Sequence, residues 1–399
     1  MTSKNSAFLS CEPIPNVRVG IVGVGVRGLR AVDRFVHIKG SQITYLCDKN
    51  SETLNQSLAV IPSNYDKPFL TEDWKVLCQS DKVDLVYICT DWLSHSEIAL
   101  FAMQCGKHTA VEVPAAMTVA DCWKLVDTAE KEKRHCVILE NCCYDAFELN
   151  ILNMVEKGFF GDIIHADCGY IHDLRCLNFP PTPTSKKGMN RLKYSLNYNG
   201  NIYPTHGLGA VCLAMNINRG DKLTRLVSMS SRQQGLTEYA VERFGKESEE
   251  ANRNYQLGDM NTTIISTEKG GTILLQHNSN NPRPYSRKYS LTGTKAFCQK
   301  YPTHQLFMDE ASFSEKEVEE TLEKYQHPFL QQYYKEAVNI SGDHFFDFIM
   351  DKRLIYCLNN GLPTDLNVYD AVTWSSIIEL TQLSVEKGNQ PIEIPDFIR

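Results

Sequence analysis

Residues 17–32 read VRVGIVGVGVRGLRAV: a short run of branched apolar residues, then Gly23-x-Gly25-x-x-Gly28, then a helical pattern. A buried strand that turns on glycines straight into a helix constrains the chain more than any other feature. It calls for parallel neighbours on either side and a helix packed across them. The glycines permit a tight turn and let a pyrophosphate approach the helix N-terminus, where free N–H groups and the helix dipole favour negative charge. Alone the motif is weak, because glycines often merely turn a chain. The context strengthens it: a second apolar run, residues 43–47, ends at Asp48, twenty positions after Gly28. A carboxylate there accepts hydrogen bonds from the ribose 2′-hydroxyl and repels a 2′-phosphate, so NAD is the expected cofactor rather than NADP. The plainer alternative for Asp48 is an exposed turn aspartate.

The alternation continues. Apolar runs at 84–89, 109–113 and 136–139 are separated by amphipathic helical stretches at 96–105 and 119–133. Near-continuous apolar strands divided by helices predict an α/β doubly wound parallel sheet of Rossmann type. After Ala146 the texture changes. A polar, proline-rich loop at 180–187 leads to alternating strand patterns at 226–230, 262–267, 272–276 and 289–292, with Glu268-Lys269-Gly270-Gly271 as a hairpin turn. Helical patterns follow at 315–325, 329–337 and 343–358, the first two separated by Pro328. This predicts an α+β second domain with an open-faced, mainly antiparallel sheet. At 399 residues two domains are expected: a flexible tail at 1–15, an NAD-binding domain at 16–145, and a substrate and oligomerisation domain at 146–399 carrying the C-terminal helices.

Composition excludes other classes. A net charge of −7 without a long basic block argues against nucleic acid as a partner. No run is long enough to span a bilayer, and the first twenty residues carry no signal-type apolar stretch. Fourteen cysteines without a Cys-x-x-Cys pair read as reduced thiols, and a cytoplasmic location is expected. Eleven scattered histidines offer no recognisable metal spacing; His344-x-x-Asp347 reads as surface and core contacts.

Two segments carry chemistry. The apolar run at 84–89 leads into Cys89-Thr90-Asp91-Trp92-Leu93-Ser94-His95, at the sheet edge where open α/β folds bind ligands. Trp92 and His95 are candidates to line the nicotinamide-side ribose; a helix-start aromatic anchor and a capping histidine are the alternatives. In NGNIYPTHGLG, the phenol of Tyr203 and the imidazole of His206 lie three residues apart. An imidazole with an ordinary pKa of about 6.5 exchanges protons near neutrality. The alternative is a structural histidine at a helix start.

Glu112-Val113-Pro114 resembles the Glu-Lys-Pro junction of the glucose–fructose oxidoreductase and inositol dehydrogenase superfamily, but with valine in place of the catalytic lysine. ENCCYDAFELNILN at 140–153, GYIHDLR at 169–175, GNIYPTHGLGAV at 200–211, MNINRGD at 215–221 and NPRPYSR at 281–287 resemble glycoside hydrolase family 109, the NAD-dependent α-N-acetylgalactosaminidases. The resemblance implies that Val26, Arg27, Asp48, Trp92 to His95, Glu112, Val113 and Asn141 bind NAD. It implies that Arg191, Tyr203, His206 and Tyr285 surround the sugar, with Arg175 a looser candidate for the same wall; an anchoring role for Tyr285 and a surface ion pair for Arg175 are the alternatives. Asn190 stands where relatives often carry tryptophan, which leaves the aglycone side open. The implied mechanism is not two-carboxylate hydrolysis: hydride passes from C3 of the sugar to NAD, the C2 proton leaves, the C1 group is eliminated, water adds, and C3 is reduced again. His206 and Tyr203 are the candidates for proton transfer, without a metal. The partners implied are a small glycoside or glycan fragment and further copies of the chain, joined through the open sheet face.

Overall fold

The computed structural model describes residues 10–179 and 191–398. Residues 1–9, the whole of the proline-rich loop and Asn190 (180–190), and residue 399 lie outside the described residues. The chain divides into two compact units: residues 1–146 with 327–375 and 397–399, and residues 147–326 with 376–396.

In the first unit, β1 (Val17–Val22), β2 (Ser41–Cys47), β3 (Phe69–Thr71), β4 (Leu85–Ile88), β5 (His108–Val111) and β6 (Cys136–Ile138) form a sheet in the order β3-β2-β1-β4-β5-β6. Every pairing is parallel. Val19, Ile21, Leu85, Val86, Ile88, Ala110 and Val111 are fully buried, as strands covered on both faces require. The strand order reverses between β1 and β4, which makes the crevice beyond their C-terminal ends the ligand site of such a sheet. The glycine turn leads from β1 into the helix Val26–Phe35. The expected doubly wound sheet is therefore present, with three elements the apolar pattern does not announce. These are β3, a helix Ser51–Leu58 and a helix Trp74–Gln79, the helices started by the side chains of Asn50 and Asp73. Ser51–Leu58 buries only Leu54 and Ser57, too little for an apolar stripe.

One expected boundary is corrected. Residues 327–375 belong to the first unit, although the sequence pattern gives everything after 146 to the second. The helix Phe345–Asn360 buries Phe348, Ile349, Leu354 and Ile355 together with Asp347 and Asp351. Those carboxylates meet arginines of the helix Val26–Phe35. Charged positions that resemble a solvated face are what tie this helix to the first unit.

The second unit is built on β7 (Ile163–Ile171), β8 (Leu223–Ser230), β9 (Asn261–Thr267), β10 (Thr272–Asn278), β11 (Ser290–Gly293), β12 (Ala296–Gln299), β13 (Gln305–Met308), β14 (Ala311–Ser312) and β15 (Ile392–Glu393), in the order β14-β13-β12-β11-β7-β10-β9-β8-β15. Pairing is antiparallel except between β7 and β10. Turn residues 268–271 join β9 to β10 as expected. The helix Thr205–Ala214 lies so close on β7 that a Cβ on Gly207 would come 2.6 Å from the Gly169 nitrogen. That approach seats the Tyr203–His206 segment against β7. Along β8 and β9, buried Leu226, Ser228 and Ile265 alternate with exposed Val227, Met229 and Ile264, so one sheet face is covered and the other open. No helix among the described residues is long and apolar enough to cross a membrane.

Candidate cofactor and sugar sites

The dinucleotide turn is made by what its glycines leave out. Gly23 has φ +85, and a Cβ there would meet the Cys89 carbonyl at 2.7 Å. A Cβ on Gly28 would come 1.9 Å from the Gly23 oxygen, so this glycine allows helix and strand to touch. A Cβ on Gly25 would meet nothing within 4 Å, because the space beside it is open. Gly25 caps the helix Val26–Phe35, which has no side-chain cap and no acidic residue in its first turn. The Asp48 carboxylate accepts the N–H of Val24 and of Asn50, each at 3.0 Å, and is thereby fixed at the end of β2. A Cβ-free cradle, an uncapped positive helix end and a fixed carboxylate fit a dinucleotide. Val26 stands 64% exposed beside the turn.

Trp92, Leu93, Ser94 and His95 form the first turn of the helix Trp92–Gln104, started by the Asp91 side chain. Leu93 is exposed, and Ser94 donates to the Asp91 carbonyl at 2.8 Å. His95 is buried, with Nδ1 2.7 Å from the Pro114 carbonyl and Nε2 3.0 Å from that of Thr90. Burial pulls its pKa down while the two carbonyls oppose the shift. Its ring braces the end of β4 against the Glu112-Val113-Pro114 turn, in which Val113 is also buried.

Arg27, Glu112 and Asn141, separate in sequence, converge. Arg27 Nε donates to Glu112 Oε1 at 2.5 Å, and its two terminal nitrogens donate to Asp347 at 3.1 and 3.0 Å. Asn141 Nδ2 donates to the same Asp347 at 2.7 Å. Burial penalises the Asp347 charge, yet Arg27 and Arg34 hold its carboxyl below the usual range. One helical turn on, Asp351 accepts from Arg34 at 2.6 Å and from the Tyr87 hydroxyl at 2.8 Å. Asp347 escaped the sequence pattern, which read it as an ordinary surface or core contact. The available signal was complementary spacing: carboxylates four apart on one helix and arginines seven apart on another, each set on one face.

In the second unit, an aromatic and basic cluster forms around Tyr170 of β7. The Tyr203 ring lies 4.7 Å from it, His206 5.4 Å and Tyr285 6.3 Å, while Tyr203 and His206 are 4.8 Å apart. The Arg191 guanidinium sits over Tyr203 at 4.6 Å and over Tyr170 at 5.6 Å. Burial works against its charge, but the two phenols, as neighbours and hydrogen-bond partners, hold its pKa above the usual arginine value. The Tyr170 hydroxyl is 2.8 Å from His172 Nδ1, and His172 lies 5.0 Å from Tyr285. Burial, then Arg191 and His206, push the His172 pKa down. His277 on β10 is fully buried, nearly parallel to Tyr170 at 6.3 Å, and held down to about 3 by burial and then by Arg191. Thus Arg191, Tyr203, His206 and Tyr285 come together as the sequence anticipates, with Tyr285 still half-exposed. Tyr170, His172 and His277 were missed. Tyr170 near the end of β7 and His172 just past it stand two positions apart, which was the readable sign. Arg175 does not join them: it gives its guanidinium to Asp173 at 2.9 and 2.8 Å and stacks over Tyr239 at 5.1 Å. A group of phenols, imidazoles and one guanidinium can exchange protons and grip hydroxyls, which is unlike the paired carboxylates of ordinary glycoside hydrolysis.

The class follows from these features. Residues 17–140 match the family model described as Oxidoreductase family, NAD-binding Rossmann fold, and the first unit is an NAD-binding domain. Solved structures agree on the fold: an oxidoreductase domain protein from Kribbella flavida (TM-score 0.70, 18% identity, 96% of this chain and 100% of that one) and a levoglucosan dehydrogenase in complex with NADH and levoglucosan (TM-score 0.71, 15% identity, 96% and 100%). Residues 144–399 match the model described as Glycosyl hydrolase 109, C-terminal domain. Over all of this chain and 98% of the relative, the sequence is 49% identical to glycosyl hydrolase family 109 protein 2 of Phocaeicola vulgatus. Over 98% and 94%, it is 48% identical to an alpha-N-acetylgalactosaminidase of Bacteroides fragilis. The chain belongs to glycosyl hydrolase family 109.

Proposed function

We propose that this chain is an NAD-dependent glycosidase that releases terminal α-linked N-acetylgalactosamine from a small glycoside or glycan fragment. The observation that carries the reading is the Tyr170–Tyr203–His206–Arg191 cluster, a set of proton-trading groups, in a chain whose other unit binds NAD. The activity named for the B. fragilis relative supports it.

NAD, when bound on the glycine turn and Asp48, supplies a reversible acceptor for the hydride at C3 of the sugar. The chain supplies the rest: groups to take the 3-hydroxyl proton, to take and return the proton on C2, and to protonate the departing oxygen at C1. His206 and Tyr203 share the transfers at C3 and C2, since each has an exchangeable proton and both adjoin Tyr170. Arg191, held charged between two phenols, grips a hydroxyl or the acetamide carbonyl with its fork of donors. Tyr285 adds a hydroxyl from the proline-flanked loop. Val113 contributes an isopropyl group with no proton to trade, so proton handling rests with the cluster. These steps use no metal ion, and EDTA leaves the rate unchanged.

The decisive measurement uses p-nitrophenyl α-N-acetylgalactosaminide without added NAD. Nitrophenol release with no net gain in reduced-nicotinamide absorbance is expected. Accumulation of NADH from a free sugar without aglycone release would overturn the reading in favour of a sugar dehydrogenase. All fourteen cysteines are free thiols, which supports a cytoplasmic setting. Exposed Val227 and Ile264, directly paired across β8 and β9, with Met229 nearby, support self-association through the open sheet face; a monomer mass by light scattering would exclude it.

A further inference from the structure

Behind the residues assigned to the cofactor lies a carboxylate that no motif announces. Asp347, on the helix Phe345–Asn360, is fully buried. Its two oxygens take the two terminal nitrogens of Arg27 as a fork, and Oδ1 also accepts the Asn141 amide. With Nε on Glu112, the Arg27 guanidinium is held at three points and cannot rotate. Three of its five N–H donors are spent there, which leaves two for a ligand. The Asn141 side chain is likewise oriented by its bond to Asp347.

Burying a carboxylate is costly unless its bonds repay the lost water. Arg34 does not need Asp347 for this purpose: it makes a 2.6 Å bond to Asp351, whereas its approach to Asp347 is 3.8 Å. The close contacts of Asp347 go to Arg27 and Asn141. We propose that Asp347 is a positioning residue of the dinucleotide site, aiming Arg27 and Asn141, and through Arg27 also Glu112, at the cofactor. Asp351 and Arg34 carry the structural share of the same network. The inference rests on the reading of Arg27, Glu112 and Asn141 as cofactor contacts.

The test measures NAD affinity by calorimetry, and thermal unfolding, on the full-length protein stripped of nucleotide. Asp347→Asn is expected to weaken NAD binding about tenfold, the loss of one charge-assisted contact. Asp351→Asn is expected to lower the melting temperature while leaving NAD affinity within about twofold. Arg27→Lys keeps the charge and loses the fork, so it matches Asp347→Asn, and the double variant is no weaker than the worse single one. Equal effects of Asp347→Asn and Asp351→Asn on NAD affinity would overturn the proposal, as would additive losses in the double variant. Normal affinity in Asp347→Asn beside weakened affinity in Arg27→Lys overturns it alone. Normal affinity in Arg27→Lys overturns the cofactor role of Arg27 and the proposal with it. Where Asp347→Asn does not fold, Asp347→Glu keeps the charge and displaces the fork; weakened NAD affinity in that variant is expected, and affinity equal to the parent overturns the proposal.

Discussion

The two proposed ligand sites, the dinucleotide turn and the aromatic cluster, are built in opposite ways. The turn is mostly backbone: three glycines, the uncapped start of one helix and a carboxylate fixed by two N–H groups, all between Gly23 and Asp48. The cluster is all side chain: rings and a guanidinium drawn from β7, from the starts of two helices, from β10 and from the loop before β11. The turn depends on atoms being absent, and the cluster on atoms being present. Adding a methyl group therefore disables the first, and removing a ring disables the second.

The largest expected effect breaks the second region without touching the first. His206→Ala lowers kcat about a thousandfold, within the range for loss of a general acid or base, while NAD affinity holds; stopped assays with the nitrophenyl glycoside, paired with calorimetry, check both. Next comes the converse. At Gly25 φ is −66, on the side open to alanine, and the added Cβ meets no atom of the described residues within 4 Å. Gly25→Ala is therefore expected to melt within a degree or two of the parent yet bind NAD about a hundredfold more weakly, because the methyl group fills the space left for the diphosphate. A large loss of stability would mean that the glycine serves the turn rather than the ligand. The smallest effect concerns acid. His277 is neutral when folded, with a pKa of about 3, and neither ring nitrogen has a hydrogen-bond partner among the described residues. The unfolded chain binds that proton below about 6.5, so the stability tied to this residue is present above that pH and lost as pH falls toward 3. Between pH 6.5 and 5 the loss amounts to about 2 kcal/mol. Urea titrations at pH 7 and 5 are expected to show His277→Phe losing less stability between the two than the parent does.

The same contrast explains what the sequence disclosed. A turn made within thirty residues leaves its glycine spacing in plain order, so the parallel sheet was legible from pattern alone, with Asp48 at the end of β2. The cluster was legible only where motifs resembled a known family; that reached Arg191, Tyr203, His206 and Tyr285 but not their hub. β7 carries His165 and Asp167 among its apolar residues, which blurs the strand pattern around Tyr170 and His172. The helix Phe345–Asn360 hid its allegiance because burial and surface exposure use the same letters: Asp347 and Asp351 are acidic whether they face water or an arginine. Pairing across more than three hundred positions leaves no local trace. Arg175 shows the reverse case: of its two readings, sugar wall or ion pair, the structure displays the ion pair, with Asp173, and a stack over Tyr239.

The bare start of the helix Val26–Phe35 has a consequence for how this enzyme keeps its cofactor. Elsewhere in the first unit, Asn50, Asp73, Asp91 and Thr118 each close a helix with a side-chain oxygen. Here a glycine offers none, and the phosphate oxygens of a dinucleotide bound there would do that work instead. A cofactor bound in this way would complete the helix start, and its departure would leave that end open. In the proposed reaction the cofactor is regenerated within each turnover, and a catalyst of that kind gains nothing by letting it go.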